Sequence, residues 1–389
     1  MSRMPKVILL IERSRAFGRG LLVGIAQYSN LHGPWLFCME PEFYRKGTQP
    51  SYEWMRDLHA TGIIAHVFGT RVMERIVGLG LPALICGIQE PTVNAYPIIT
   101  DNVAIGRTAA EYFLRRGFRR FAYCGFDDMV WSRQRGESFS RVVAELDLEV
   151  TLYQTPKAKR RHAADSEPPF MADWLRSLPK PIAVMACNDD RSRDVLAACK
   201  IAGIRVPAEV AILGVDNDDL VCGLSYPRLS SIALSTQKAG YEAARVLDGL
   251  MLGQGGATAG EEVPVSPLQV VTRQSTDVMA IEDREVAEAV HFVRQHSKEP
   301  IQVGDVAEAV GLSRRALEQR FRRVLSHSVH EEIRDSRVDQ MAEILMGTSL
   351  SVLQIARLMR YPDASNISRY FKQVKGTSPS GYRKKFGPR

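Results

Sequence analysis

Two stretches near the C-terminus repeat one pattern, and they restrict the chain more than any other feature. Residues 303–324 read VGDVAEAVGLSRRALEQRFRRV and residues 352–374 read VLQIARLMRYPDASNISRYFKQV. Asp305-Val306-Ala307 corresponds to Gln354-Ile355-Ala356, 49 positions on, and Phe321 to Phe371, 50 positions on. The one-residue difference falls between two helical apolar patterns, where a turn belongs. Each stretch therefore reads as helix, tight turn and second helix. Ser313 is placed to cap the second helix of the first repeat, and Ser351 with Gln354 forms a capping box in the second. Leu317, Phe321 and Val324 form one inward stripe, and Ile367, Phe371 and Val374 the other. A helix over Val329–Leu345 joins the repeats, and Ser378-Pro379 starts a last short one.

Charge sorts the same way. Residues 313–389 carry 16 Lys/Arg against 7 Asp/Glu, a net of +9 that leaves −2 for residues 1–312. A near-neutral body with a basic C-terminal module is the footprint of nucleic-acid binding. Apolar content of 45% and charged content of 24% suit ordinary packed domains, and no apolar run approaches a membrane span. The N-terminus MSRMPK has no secretion signal, so a cytoplasmic location is expected. The six cysteines (38, 86, 124, 187, 199, 222) form no CxxC pair and read as free thiols.

Residues 1–275 alternate strand and helix. Apolar strand runs lie at 6–11, 35–39, 62–67, 83–86, 121–124, 150–153, 182–187 and 210–213, with helical spacing between most of them. Such alternation predicts parallel sheets with right-handed crossovers, and two consecutive series predict two lobes. Open sheets of this kind bind ligands beyond the carboxyl ends of their strands. The polar residues there are Glu12 and Arg13, Asp101-Asn102, Asn188-Asp189-Asp190 and Asp216-Asn217, with Arg133 and Arg135 opening a helix. Acids, amides and an arginine around one crevice suit a neutral polyol such as a sugar, with Trp131 or Phe17 available to stack on its ring. Asp and Asn after strands also serve as turn and cap residues. The basic run at 157–162 reads as a solvated loop, and Gly253–Gly260 as a flexible one.

TDNVAIGRTAAEYFLRRGFRRFAYCG (100–125), ACNDDRSRDVLAACKIAGIRVPAEVAILGVDND (186–218) and PRLSSIALSTQKAGYEAARVLDGLM (227–251) resemble the effector domain of the LacI family. That resemblance implies a two-lobed fold like that of periplasmic sugar-binding proteins. It places Asp101, Arg135, Asn188, Asp189 and Asp216 in the sugar cleft; Glu12 and Arg13 rest on their strand-end position alone. It also implies that Gln237–Leu252 returns to the first lobe and that Val263–Arg273 closes the second. AEAVGLSRRALEQRF, SVLQIAR and ISRYFKQVKGTSPSGYR resemble the DNA-binding domain of the AraC/XylS family. By that likeness each second helix enters a major groove, about 34 Å apart. The implied DNA-facing residues are Arg315, Glu318, Gln319 and Arg322 in the first, and Ala364, Ser365, Ser368, Arg369 and Lys372 in the second. Arg323 and Lys375 are added as phosphate contacts. Three positions depart from the family: Arg360 replaces its turn glycine, Ser326 another glycine, and Met341 a small alanine.

The expected fold class is thus a two-lobed α/β sensor followed by an all-α double helix-turn-helix domain. The expected boundaries are 1–275 for the sensor, 276–284 for a linker and 285–389 for the DNA-binding domain. Within the sensor, one lobe is expected at about 5–113 plus 236–262 and the other at 118–233 plus 263–273. The order of the two parts resembles the XylR type of xylose-operon regulator. It implies a sugar-responsive DNA-binding transcription factor that acts as an activator, with D-xylose as first effector, a homodimer, and RNA polymerase as partner. Another pentose, a polyol or a nucleoside is the alternative effector. An enzyme with an appended regulatory domain is the alternative of another class. No nucleophile elbow, phosphate loop, zinc motif or dinucleotide fingerprint is present, so no catalytic residue, cofactor or metal is expected.

Overall fold

The computed structural model describes residues 4–39, 54–67, 70–87, 95–155, 167–253, 262–277, 283–325, 327–348, 350–361 and 364–386. The basic loop 157–166, the glycine-rich loop after Gly253, residues 278–282 of the expected linker, and Ser326 lie outside these. The chain divides into two compact units, residues 1–112 with 120–277, and residues 278–389 with 113–119.

The first unit begins with β1 (Lys6–Leu10), α1 (Ala16–His32), β2 (Leu36–Met39), α2 (Trp54–Asp57), β3 (Gly62–His66), α3 (Thr70–Val77), β4 (Ala83–Cys86) and β5 (Ala95–Thr100). It continues with α4 (Asn102–Arg115), β6 (Phe121–Cys124), α5 (Val130–Ala144), β7 (Val150–Leu152), α6 (Pro168–Ser177), β8 (Ile182–Ala186), α7 (Asp189–Ala202), β9 (Val210–Val215), α8 (Asp219–Leu224) and β10 (Ser230–Leu234). Helix α9 (Thr236–Met251), β11 (Val263–Val265) and β12 (Pro267–Val271) complete it. Two six-stranded sheets result, ordered β11-β5-β4-β3-β1-β2 and β12-β10-β9-β8-β6-β7. The strand pairs are parallel except β10 with β12. Their strands are near-continuous apolar runs because helices cover both faces.

The chain crosses between sheets three times: from β5 into α4, from β10 into α9, and from β11 to β12. Two expectations are corrected here. Val263–Val265, expected in the second lobe, runs parallel to β5 in the first sheet, and only Pro267–Val271 joins the second. Helix α4, expected in the first lobe, packs on α5: a Cβ at Gly106 would lie 2.6 Å from the Arg135 carbonyl oxygen. A single strand cannot serve two sheets, so the chain switches at Ser266, whose N–H bonds Ser235 Oγ at the neighbouring crossing. Helix α9 returns to the first sheet and packs closely on α1 through glycines. A Cβ at Gly24 would lie 2.0 Å from the Gln237 carbonyl oxygen, and one at Gly240 2.0 Å from that of Leu21.

The second unit is helical: α10 (Arg284–Gln295), α11 (Val303–Ala309), α12 (Arg314–Leu325), α13 (Val329–Gly347), α14 (Val352–Leu358), α15 (Ala364–Lys375) and α16 (Pro379–Phe386). It has two cores. Val286, Val290, Val306, Leu317 and Phe321 fill one, and Met341, Leu345, Ile355, Met359 and Phe371 the other. Helix α13 feeds both, through Val329 and Ile333 at one end and Val338 to Leu345 at the other. Met341, the large residue in place of a small one, is fully buried in the second core. The caps are as expected: Ser313 Oγ accepts from Ala316 N, and Ser351 and Gln354 form the capping box.

The repeat is exact in its backbone bonds. Gly311 N and Leu312 N donate to Glu308 and Ala307 carbonyls; 49 residues on, Arg360 N and Tyr361 N donate to Arg357 and Ala356. Both turns need a left-handed residue, Gly311 at φ 66° and Arg360 at φ 52°. That conformation costs a side-chain-bearing residue about 1 kcal/mol or more. Arg360→Gly is therefore expected to raise stability by about 0.5–1 kcal/mol, after the extra freedom glycine adds to the unfolded chain. The readout is a higher urea midpoint at unchanged slope; a lower midpoint means the Arg360 side chain contributes more than its backbone costs.

Candidate functional site

The carboxyl ends of the two sheets face each other across a cleft, and helix N-termini point into it. Each such N-terminus has backbone N–H groups without an intrahelical partner. Several residues expected at the ligand accept from them. Asp101 Oδ1 accepts from Ala104 N and caps α4. Asn188 Oδ1 accepts from Arg191 N and caps α7. Asp189 is 2% exposed and turned inward: Oδ2 accepts from Asp218 N at 2.7 Å, and a Cβ at Gly214 would lie 2.3 Å from Oδ1. Burial, then the charge of Asp216, push its carboxyl well above the usual range.

Arg135 lies at the centre, 4% exposed. Its Nε donates to Asn102 Oδ1 (3.0 Å), its Nη1 donates to the Cys187 carbonyl (2.5 Å), and its guanidinium covers the Trp131 ring at 4.9 Å. Asn102 also donates to Gln134 Oε1 at 2.9 Å. It is Asn102, rather than its neighbour Asp101, that holds the arginine. Asp216 sits in a left-handed backbone conformation, φ 100°. Burial raises its carboxyl to about 6, against the favourable charge of Arg135. A polyol hydroxyl set between them would meet a donor fork and an acceptor of adjustable charge.

Glu12 and Arg13 are exposed after β1. They border a cavity of about 370 Å³ that also takes in Ile11, Met39, His66 and Val72. Burial lowers His66 to about 4, so its imidazole is neutral, and Phe17 lies against it at 4.9 Å. Glu12 accepts from Ser14 N, which holds its carboxyl below the usual range.

Three contacts that the sequence reading did not include span the cleft. Arg15 Nε meets Asp190 Oδ2 at 2.6 Å. Arg19 Nη2 meets Asp218 Oδ2 at 2.9 Å, and Ala16 N donates to the same oxygen at 2.7 Å. The run Asp216-Asn217-Asp218 was visible, but nothing in it says which carboxylate turns toward the other lobe.

On the helical unit, Arg315, Gln319 and Arg322 are exposed along α12. Glu318, expected to face out, is half-buried with Oε2 enclosed. Arg323, expected at a phosphate, pairs with Asp283 at 3.1 Å, and Arg320 with Asp283 and Glu285. On α15, Ala364 and Ser365 occupy the first turn, Ser368 is half-buried, and Arg369 and Lys372 are exposed. Lys375 is held by Asp339 at 2.6 Å. Of the cations expected at DNA, Arg323 and Lys375 thus pair with carboxylates of the same unit.

Comparison with known proteins gives the same two parts. The family profile of the periplasmic binding protein-like domain matches residues 110–276, and that of a helix-turn-helix domain matches residues 306–385. The chain is 29% identical to the xylose operon regulatory protein of Escherichia coli K12, covering 98% of this chain and 97% of the relative. It is 28% identical to that of Haemophilus influenzae, over 97% and 98%. A solved structure of the xylose-binding transcription activator XylR matches over 100% of both chains, with 26% identity and a TM-score of 0.63. A cellobiose complex of the regulator CelR shares the sensor fold, with 21% identity, a TM-score of 0.55 and 71% of this chain covered.

Asp216 supplies a pH test. Its folded value of about 6 lies above the ordinary 3.8, so the unfolded chain releases this proton first as pH rises. Its contribution to stability is therefore greatest below about pH 4 and is lost as pH climbs through 6. Asp216→Asn, which tolerates the left-handed backbone, is expected to add about 1–3 kcal/mol at pH 7 and to flatten the stability profile between pH 4 and 6. Urea unfolding at several pH values measures both.

Proposed function

We propose, from the premise that this chain is a homologue of the xylose operon regulatory proteins over nearly its full length, that it is a sugar-responsive DNA-binding transcription regulator with D-xylose as its effector. The observation that carries the reading is the Arg135–Asp216 pair at the carboxyl edge of the second sheet, Arg135 on α5 and Asp216 just after β9, on the same chain as a paired helix-turn-helix repeat. Arg135 donates to ring or hydroxyl oxygens, and Asp216 accepts from a hydroxyl. Glu12 and Arg13 approach from the first lobe. Asp101, Asn188 and Asp189 serve this site by capping and bracing the elements that carry it. A sugar touching both lobes binds the closed cleft more tightly than the open one, and that difference is the only energy available to shift the protein.

On DNA, Arg315 suits guanine O6/N7 and Gln319 suits adenine. Arg322 and Lys372 suit phosphates, and Ala364, Ser365, Ser368 and Arg369 are the base-edge candidates of α15. Glu318 suits a cytosine amino group at the edge of that surface. The protein acts in the cytoplasm as an isologous homodimer and recruits RNA polymerase as an activator.

Calorimetry against a panel of pentoses and polyols tests the effector: heat with D-xylose at a one-to-one ratio is expected. Heat only with another sugar moves the assignment within this class, and turnover of the bound sugar moves it to an enzyme. Asp216→Ala is expected to abolish the sugar response and leave DNA affinity intact. Arg315→Ala is expected to do the reverse, losing about 1–3 kcal/mol at one base position. Gel-shift titrations with and without sugar read both variants.

A further inference from the structure

Asp218 carries two loads on one carboxylate. Its Oδ1 accepts from Leu220 N (3.1 Å) and Val221 N (3.4 Å), the first turn of α8 in its own lobe. Its Oδ2 accepts from Ala16 N (2.7 Å) and Arg19 Nη2 (2.9 Å), the first turn of α1 in the other lobe. Ala16 is the first residue of α1, and Arg15, in the capping position, offers no side-chain acceptor and reaches instead to Asp190. A helix of one lobe is thus capped by a side chain of the other. The carboxylate is 2% exposed, and its own backbone N–H is fixed by Asp189 Oδ2 at 2.7 Å, so it is set in place within the second lobe alone. Parting the lobes would return Ala16 N–H and Arg19 to water and leave the α8 cap untouched. Charge-assisted bonds of this kind are the strong ones.

We propose that Asp218 is a positioning residue of the effector response: Oδ2 latches α1 to the second lobe when the cleft closes, while Oδ1 caps α8 in the open and closed states alike. The latch contacts no sugar. It rests on the sugar-sensor reading only for what closes the cleft, and it deepens that reading by naming what holds it shut. The affinity for effector then depends on a carboxylate outside the sugar-facing set, and Arg19 is its partner.

Asp218→Asn separates the two loads. An asparagine that keeps the α8 cap turns Nδ2 toward Ala16 N–H and Arg19, so donors face donors. On the full chain, amide exchange of Ala16 to Gly18 is followed by mass spectrometry without sugar and with D-xylose, beside calorimetry. In the wild type, D-xylose is expected to slow exchange in this turn. In Asp218→Asn the slowing is lost, sugar-free exchange is faster, and Kd for D-xylose rises about 10–100-fold. Arg19→Gln, which leaves both caps in place, is expected to raise Kd by a smaller factor and covers the case where Asp218→Asn does not fold. Unchanged exchange in the first turn of α1 overturns the latch. So does a Kd change matched by an equal loss of thermal stability in the sugar-free chain, since that is a structural role. If the wild type gives no heat with D-xylose, the effector assignment falls, and the sugar-free exchange comparison still decides the latch.

Discussion

The first turn of a helix leaves backbone N–H groups that need acceptors, and this requirement shapes the sensor. Its helices α1, α4, α7 and α8 all begin at the cleft between two sheets. Acids and amides gather there first to satisfy backbone: Asp101 for α4, Asn188 for α7, Asp218 for α8 and α1 together. Arg135 is fixed in another way: Asn102, the Cys187 carbonyl and the Trp131 face hold its guanidinium. Asp216 sits in a left-handed backbone conformation just after β9.

The same economy governs the helical unit. A basic surface suited to DNA repels itself, and part of its charge is spent internally. Arg320 and Arg323 hold Asp283 at the start of α10, and Lys375 holds Asp339 on α13. Arg337 goes further. It is 7% exposed, donates to the Glu299 and Met359 carbonyls, and covers the Tyr361 ring at 4.1 Å. It therefore ties the end of the first core to the turn of the second, beside the strained Arg360. Helix α13 and this arginine together give the two repeats a common frame.

Much of the fold was legible in the sequence. The 49-residue repeat predicts two helix-turn-helix units because helical apolar spacing and capping boxes are local signals, read within a turn or two of chain. The buried strands are legible because parallel sheets covered on both faces need unbroken apolar runs. Less of the cleft was legible. Asp101, Asn188 and Asp189 were visible as strand-end polar residues, but a capping carboxylate and a ligand-facing one have the same spacing. Asn102, Arg15 and Arg19, the Asp190 contact across the cleft and the bridging Oδ2 of Asp218 acquire their roles from partners more than 30 residues away. Val263–Val265 was misplaced because a three-residue strand carries no mark of the sheet it joins.

By itself the sequence determined the alternation of elements, the repeat with its turns, and the segregation of positive charge, since all of these follow from neighbours along the chain. Only the tertiary structure decided which carboxylates are consumed as caps, which arginines are neutralised, and which residues bridge the lobes. Those outcomes depend on distances between remote segments, and a few ångströms there separate a helix cap from a latch.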